Sequence, residues 1–191
     1  MYTMSREFER MLAYHCAPAI FGIKSSNLIN VSKKEFPNIH LDILELNNDK
    51  HARVFFKIIY EDEKSLLLLV YRKEVLLYQL KDINNYNFLR EYGYPSKVSL
   101  DSYFNYLSYR IRAVESFPHE IGVFLGYDLE DIIDFKEGKK KCLHVGYWKV
   151  YSNKEIKIKK FDRFTRCKRA ALSLIEKGYG LKKIMIGTKE E

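Results

Sequence analysis

The stretch ARVFFKIIYEDEKSLLLLVY, residues 52–71, decides the fold. It holds two runs of β-branched, aromatic and aliphatic residues separated by the charged linker EDEK. Two such runs joined by a short polar segment read as a β-hairpin. The second run, SLLLLVY, is apolar at nearly every position instead of every other one, so it belongs in the centre of a sheet.

Beyond the hairpin the period changes. RKEVLLYQLKDINNYNFLREYGY (72–94) reads as two short helices, the second ending near Gly93 with Pro95 just past it. Leu100, Tyr103, Phe104, Leu107 and Ile111 recur at helical spacing and predict a helix over 99–113. EIGVFLGY (120–127) reads as a short strand and DLEDIIDFKEG (128–138) as a helix whose opening acids suit its positive end. CLHVGYWKVY (142–151) reads as a further strand. Ser152 and Glu155 have capping-box spacing and open a long helix to Gly178. Its inner stripe is Ile156, Phe161, Phe164, Cys167, Ala171, Leu174 and Ile175, and GYGLKK then turns into a last helix.

Upstream of the hairpin, FPNIHLDILELN reads as a helix closed by Asn47 and Asn48. Phe8, Met11, Leu12 and His15 predict an amphipathic helix over about 4–15. Pro18 interrupts that pattern, so HCAPAIFGIKSSNL reads as a helix end, a turn and a second short helical piece. The expectation is a single α+β domain over 1–191, with a small, mainly antiparallel sheet of about four strands packed with several helices.

Composition narrows the class. The chain has 191 residues, 47% hydrophobic, 15% aromatic and 30% charged, which suits one globular domain with much aromatic burial. The longest apolar run is far short of a membrane span, and the N-terminus lacks the pattern of an export signal. Three widely spaced cysteines, with no CxxC pair, point to a reducing cytoplasm and not to a disulfide framework. Charge is uneven. Residues 1–135 carry 16 Lys and Arg against 19 Asp and Glu (−3), and residues 136–191 carry 17 against 6 (+11). A small molecule or an acidic protein is the expected partner, beside the plainer reading of a solvated helix face. Nucleic acid binding would need aromatics beside the exposed basic residues. Phe161 and Phe164 belong to the inner stripe, so only weak, salt-sensitive association is expected.

Several side chains offer chemistry. Cys16 precedes APAIFGIK, where a following helix N-terminus and the adjacent His15 would favour the thiolate. His119 opens the EIGVFLGY segment and is the candidate base, with His144 as its orienter. The competing reading is architecture: Cys16 as a small buried hydrophobe, and Glu120 paired with Arg72 to fix the sheet. Lys24, Asn27, Arg72 and Tyr147 adjoin apolar elements that would leave them unpaired if buried alone. His15, Cys16, Lys24, Asn27, Arg72, His119, Glu120 and Tyr147 are therefore expected to converge on a pocket. Histidine, cysteine and glutamate are metal-ligand types, but no HExxH spacing occurs, so metal, cofactor and oligomeric state are unspecified. No phosphate loop, dinucleotide fingerprint or kinase signature is present.

The motifs HCAPAIFGIKSSNL, LLLVYR, FLREYGYP, FPHEIGVFLGYDLEDIIDF and GYWKVY occur in this order. In that combination the chain resembles a family of small proteins from anaerobic Firmicutes known as a domain of unknown function, over about residues 7–183. It departs from that family's pattern at Asp128, where proline is usual, and in residues 139–144. The Cys-then-His order also resembles papain-like cell-wall peptidases, although their usual cysteine context is missing. The first resemblance implies a compact cytoplasmic bacterial protein, and some members of that family are encoded near flavodoxin-like or iron-uptake genes, which leans toward redox or iron physiology. The resulting expectation is a small-ligand binding protein using a His/Cys/Glu pocket. The alternative is a thiol-dependent hydrolase or transferase with Cys16 as nucleophile and His119 as base.

Overall fold

The computed structural model describes residues 4–48, 52–113 and 116–186. Among them are nine helices, a three-stranded antiparallel sheet and a two-stranded one, an α+β architecture. The chain packs as two compact units, residues 1–73 with 166–191 and residues 74–165.

In the first unit, α1 (Arg6–Ile20) starts at Ser5, whose hydroxyl accepts from the Phe8 N–H at 3.2 Å. Its buried face is Phe8, Leu12, Ala13, Cys16, Ala17 and Ile20; Cys16, not His15, completes it. The helix runs through Pro18 where a break was expected. Proline lies in the last turn, where its missing N–H costs one helical bond, and the buried Ala17, Ala19 and Ile20 hold the turn in place. The true stop is four residues later. Ile23 N–H donates to Pro18 O at 2.9 Å and Gly22 N–H to Ala19 O at 3.0 Å, with Gly22 at φ +73°. This is the glycine-terminated hydrogen-bond pair that satisfies a helix's last carbonyls.

The chain then enters β1 (Ser26–Ser32), not a second helical piece. Asn27, Ile29 and Val31 alternate onto its buried face. After α2 (Ile39–Asn47) comes the expected hairpin, β2 (Val54–Glu61) and β3 (Ser65–Arg72). The sheet order is β1-β3-β2, so the leucine-rich strand is central; Leu28 faces Leu69 on one side and Lys57 faces Leu69 on the other. Asn47 guards the outer edge of β2, donating to Phe56 O at 2.8 Å and accepting from Phe56 N–H at 2.9 Å. A last helix, α9 (Leu181–Ile186), packs on α1, where the Glu9 carboxylate accepts the Leu181 N–H at 2.8 Å.

The second unit contains α3 (Lys73–Lys81), α4 (Ile83–Glu91), α5 (Leu100–Ala113), α6 (Ile121–Phe124) and α7 (Leu129–Glu137). A small hairpin, β4 (His144–Val145) and β5 (Lys149–Val150), leads into α8 (Lys154–Glu176), which contributes residues up to Thr165. Its centre is aromatic: Tyr94 lies 5.4 Å from Tyr103, 4.7 Å from Tyr106 and 5.7 Å from Phe124, ring to ring.

Two local expectations change here. EIGVFLGY is not a strand. Pro118 opens a tight helical turn, and Gly126 N–H to Val123 O with Tyr127 N–H to Gly122 O closes it as Gly22 closes α1. An eight-residue apolar run has no period to tell strand from buried helix. The capping box does not form either. Asn153 stands at φ +48°, and the Ser152 hydroxyl donates to Glu130 and accepts from Lys157. The inner stripe accordingly begins with Lys157, 1% exposed, while Ile156 is 68% exposed.

Candidate functional site

The turn FPHE borders a mainly apolar cavity of the second unit. Ile121 N–H donates to Pro118 O and Gly122 N–H to His119 O, so successive side chains diverge by roughly 100°. Glu120 turns inward, fully buried, and accepts from Arg110 Nε at 2.8 Å. That bond raises the Arg110 pKa above its ordinary value. The second oxygen of Glu120 and the Tyr94 hydroxyl have no hydrogen-bond partner. His119 turns outward and faces a cavity of about 490 Å³.

Aliphatic and aromatic side chains form its walls: Ile121 from α6 and Leu125 just after it, Ile132 and Phe135 from α7, then Tyr127 stacked on Trp148 at 4.7 Å. Gly122 permits the close approach of α6 and α7, because a Cβ there would stand 2.8 Å from the Ile132 side chain. Gly146 does the same for the GYWKVY hairpin, where a Cβ would stand 2.3 Å from the Phe161 ring. Phe161 meets Trp148 edge-on at 4.5 Å, and Tyr147 lies between Phe161 and Phe164 while also lining the cavity.

Asp131 is the acid of the lining, and its oxygens are fully engaged. It accepts from Trp148 Nε1 at 2.8 Å and from the Tyr151 and Ser152 N–H groups at 2.8 and 3.3 Å, with Lys157 Nζ at 2.6 Å. The mouth carries His119, packed edge-on to Phe135 at 5.2 Å, and Lys149, whose ammonium sits 5.1 Å from the same ring.

The remaining expected site residues cluster in the first unit at the end of α1. Arg72 donates to Ala19 O at 3.3 Å and Ile20 O at 2.5 Å, and Asn27 Oδ1 accepts the Ala19 N–H at 3.2 Å. Cys16 is buried within the helix, not placed before a helix N-terminus. Burial pushes its thiol up to about 12, opposed by the nearby charges of Lys24 and Lys168. Burial also lowers the pKa of His15, with Lys168 adding to the effect. The structure thus gathers His15, Cys16, Lys24, Asn27 and Arg72 in one unit, and places His119 and Tyr147 on a cavity in the other. Glu120, beside His119 in sequence, serves the packing of α5. Among the described residues no three His, Cys, Asp or Glu side chains are grouped to hold a metal ion.

Residues 12–185 match the family described as protein of unknown function (DUF3793). The chain belongs to that family. The match spans both the end of α1 and every lining residue of the cavity. No curated protein and no solved structure matches the chain.

Sequence reasoning missed Phe135, Trp148 and Lys149. All three lie in the quoted motifs, FPHEIGVFLGYDLEDIIDF and GYWKVY, and the signal was there in the co-occurrence of the chain's one tryptophan with that histidine motif.

Proposed function

We propose that this protein is a small-ligand binding protein of the bacterial cytoplasm, and that its ligand occupies the second unit's cavity. The observation that carries the reading is a mainly apolar, partly open cavity of about 490 Å³ walled by paired aromatics. That size and lining are those of small-molecule sites in general. The free state of Cys16, Cys142 and Cys167 supports a reducing setting. Among the described residues no helix is long and apolar enough to cross a membrane.

A link to redox or iron physiology, in this reading, enters through the ligand. The thiol-enzyme alternative is supported less well. A thiol pushed up to about 12 stays protonated at neutral pH, and the thiolate is the nucleophile.

The test is a titration of the full chain with the neutral fluorophore N-phenyl-1-naphthylamine. Trp148 is the single tryptophan, so its emission reports on the cavity wall. Saturable quenching of Trp148 with rising probe emission is expected. Phe135→Asp, which sets a charge in the apolar wall at a partly exposed position, should weaken binding about tenfold or more. Absence of saturable binding would end this reading.

A further inference from the structure

We infer that the ligand is an amphiphilic monoanion, an apolar body ending in a carboxylate-like group, seated with its charge at Lys149 and His119. The inference rests on the cavity being a ligand site and adds the sign and position of the ligand's charge. It comes from the distribution of polar groups around the cavity. The wall is mostly aliphatic and aromatic, with the hydroxyls of Ser116, Tyr127 and Tyr147 its few neutral polar groups, so a ligand's buried part should be mainly apolar.

Asp131 is the lining residue that would otherwise favour a cation. Its oxygens already take the Trp148 indole N–H, two backbone N–H groups and the Lys157 ammonium. With that carboxylate neutralised by a lysine that is itself 1% exposed, it offers nothing to a ligand. The basic side chains that remain in the lining are a lysine and an imidazole, both held against the Phe135 ring, Lys149 over it and His119 perpendicular to it. Lysine only donates, and imidazole presents an N–H in either tautomer. Two donors and one full positive charge bordering an apolar chamber complement an anionic head group.

A free monoanion and the head group of an anionic lipid share this chemistry. The cavity's volume of about 490 Å³ suits the apolar body of one free molecule.

Dodecanoate, dodecanol and dodecylamine, each below its micellar concentration, differ mainly in the head group. The full chain is titrated with each while Trp148 emission is followed. Dodecanoate is expected to bind about fivefold tighter than dodecanol, the size of a single exposed ion pair, and dodecylamine weakest. Lys149→Gln should bring the carboxylate-to-alcohol ratio close to one. Equal affinity for acid and alcohol, preference for the amine, or a ratio unmoved by Lys149→Gln overturns the inference while leaving the cavity as a ligand site. Co-sedimentation with phosphatidylglycerol vesicles but no binding of free dodecanoate also overturns it. Failure of all three dodecyl compounds and of the neutral naphthylamine removes the ligand site itself.

Discussion

Two neighbouring residues divide the work at His119 and Glu120, and the division follows from helical geometry. In a strand they would face opposite sides of a sheet; in the turn that forms, one faces the cavity and the other Arg110. Arg110 is 24% exposed on its side chain and Glu120 is fully buried, which makes the pair asymmetric. Arg110→Ala strands a buried carboxylate and should cost about 3 kcal/mol, whereas Glu120→Ala frees an arginine that can reach water and should cost less. Urea unfolding of both variants checks this, and equal losses would contradict it. Tyr94→Phe removes a buried hydroxyl without a partner and should be neutral or stabilising by about 1 kcal/mol in the same assay.

Cys16 gives a pH prediction. Its folded pKa is raised, so the unfolded thiol ionises first as pH climbs, and folding stability falls between about 9 and 12. Wild type should therefore lose stability with pH faster than Cys16→Ala over that range, and below about pH 8 the difference should be flat. At neutral pH iodoacetamide should modify Cys142 before Cys16. Fast alkylation of Cys16 in the native protein would favour the thiol-enzyme alternative.

Helix ends, more than helix interiors, decided which elements the sequence disclosed. The hairpin, α5, α7 and α8 were legible because each has a clear period or a polar linker. α1 was misjudged at its end and α6 was read as a strand, and in both the overlooked signal was a glycine. Gly22 and Gly126 each sit at positive φ and close a helix with the same pair of hydrogen bonds. Pro18 drew the reading to the wrong boundary because proline marks helix ends more often than last turns. β1 was hidden by its Ser and Asn content, which suits turns as well as edge strands. Gly22 has a second constraint, since a Cβ there would lie 2.9 Å from Arg72 Nε. Gly22→Ala combines strain at φ +73° with displacement of the arginine that binds the last α1 carbonyls, and should cost about 1–3 kcal/mol by thermal unfolding. A change below about 0.5 kcal/mol would show that Arg72 contributes little there.

Charge along the chain remains lopsided, but part of the basic excess is already paired. Lys140 meets Asp134, Lys157 meets Asp131 and Asp128, Lys160 meets Asp128, and Lys182 meets Glu45. Elution from heparin below about 0.15 M salt is expected, and retention well above it would point to a nucleic-acid partner. The candidate site was legible only in part. His119 and Tyr147 carried recognisable motif context, but which side chains share a cavity depends on how α6, α7 and the β4–β5 hairpin pack, and no local period encodes that. The account stands on Trp148 being a wall of a ligand-binding cavity. Its indole N–H, bonded to Asp131, gives the one tryptophan side-chain signal in a ¹H–¹⁵N spectrum of the full chain. Titration with N-phenyl-1-naphthylamine should move that signal along a saturable path, in step with the probe's fluorescence. Probe binding with the indole signal unmoved would place the ligand elsewhere and contradict the account.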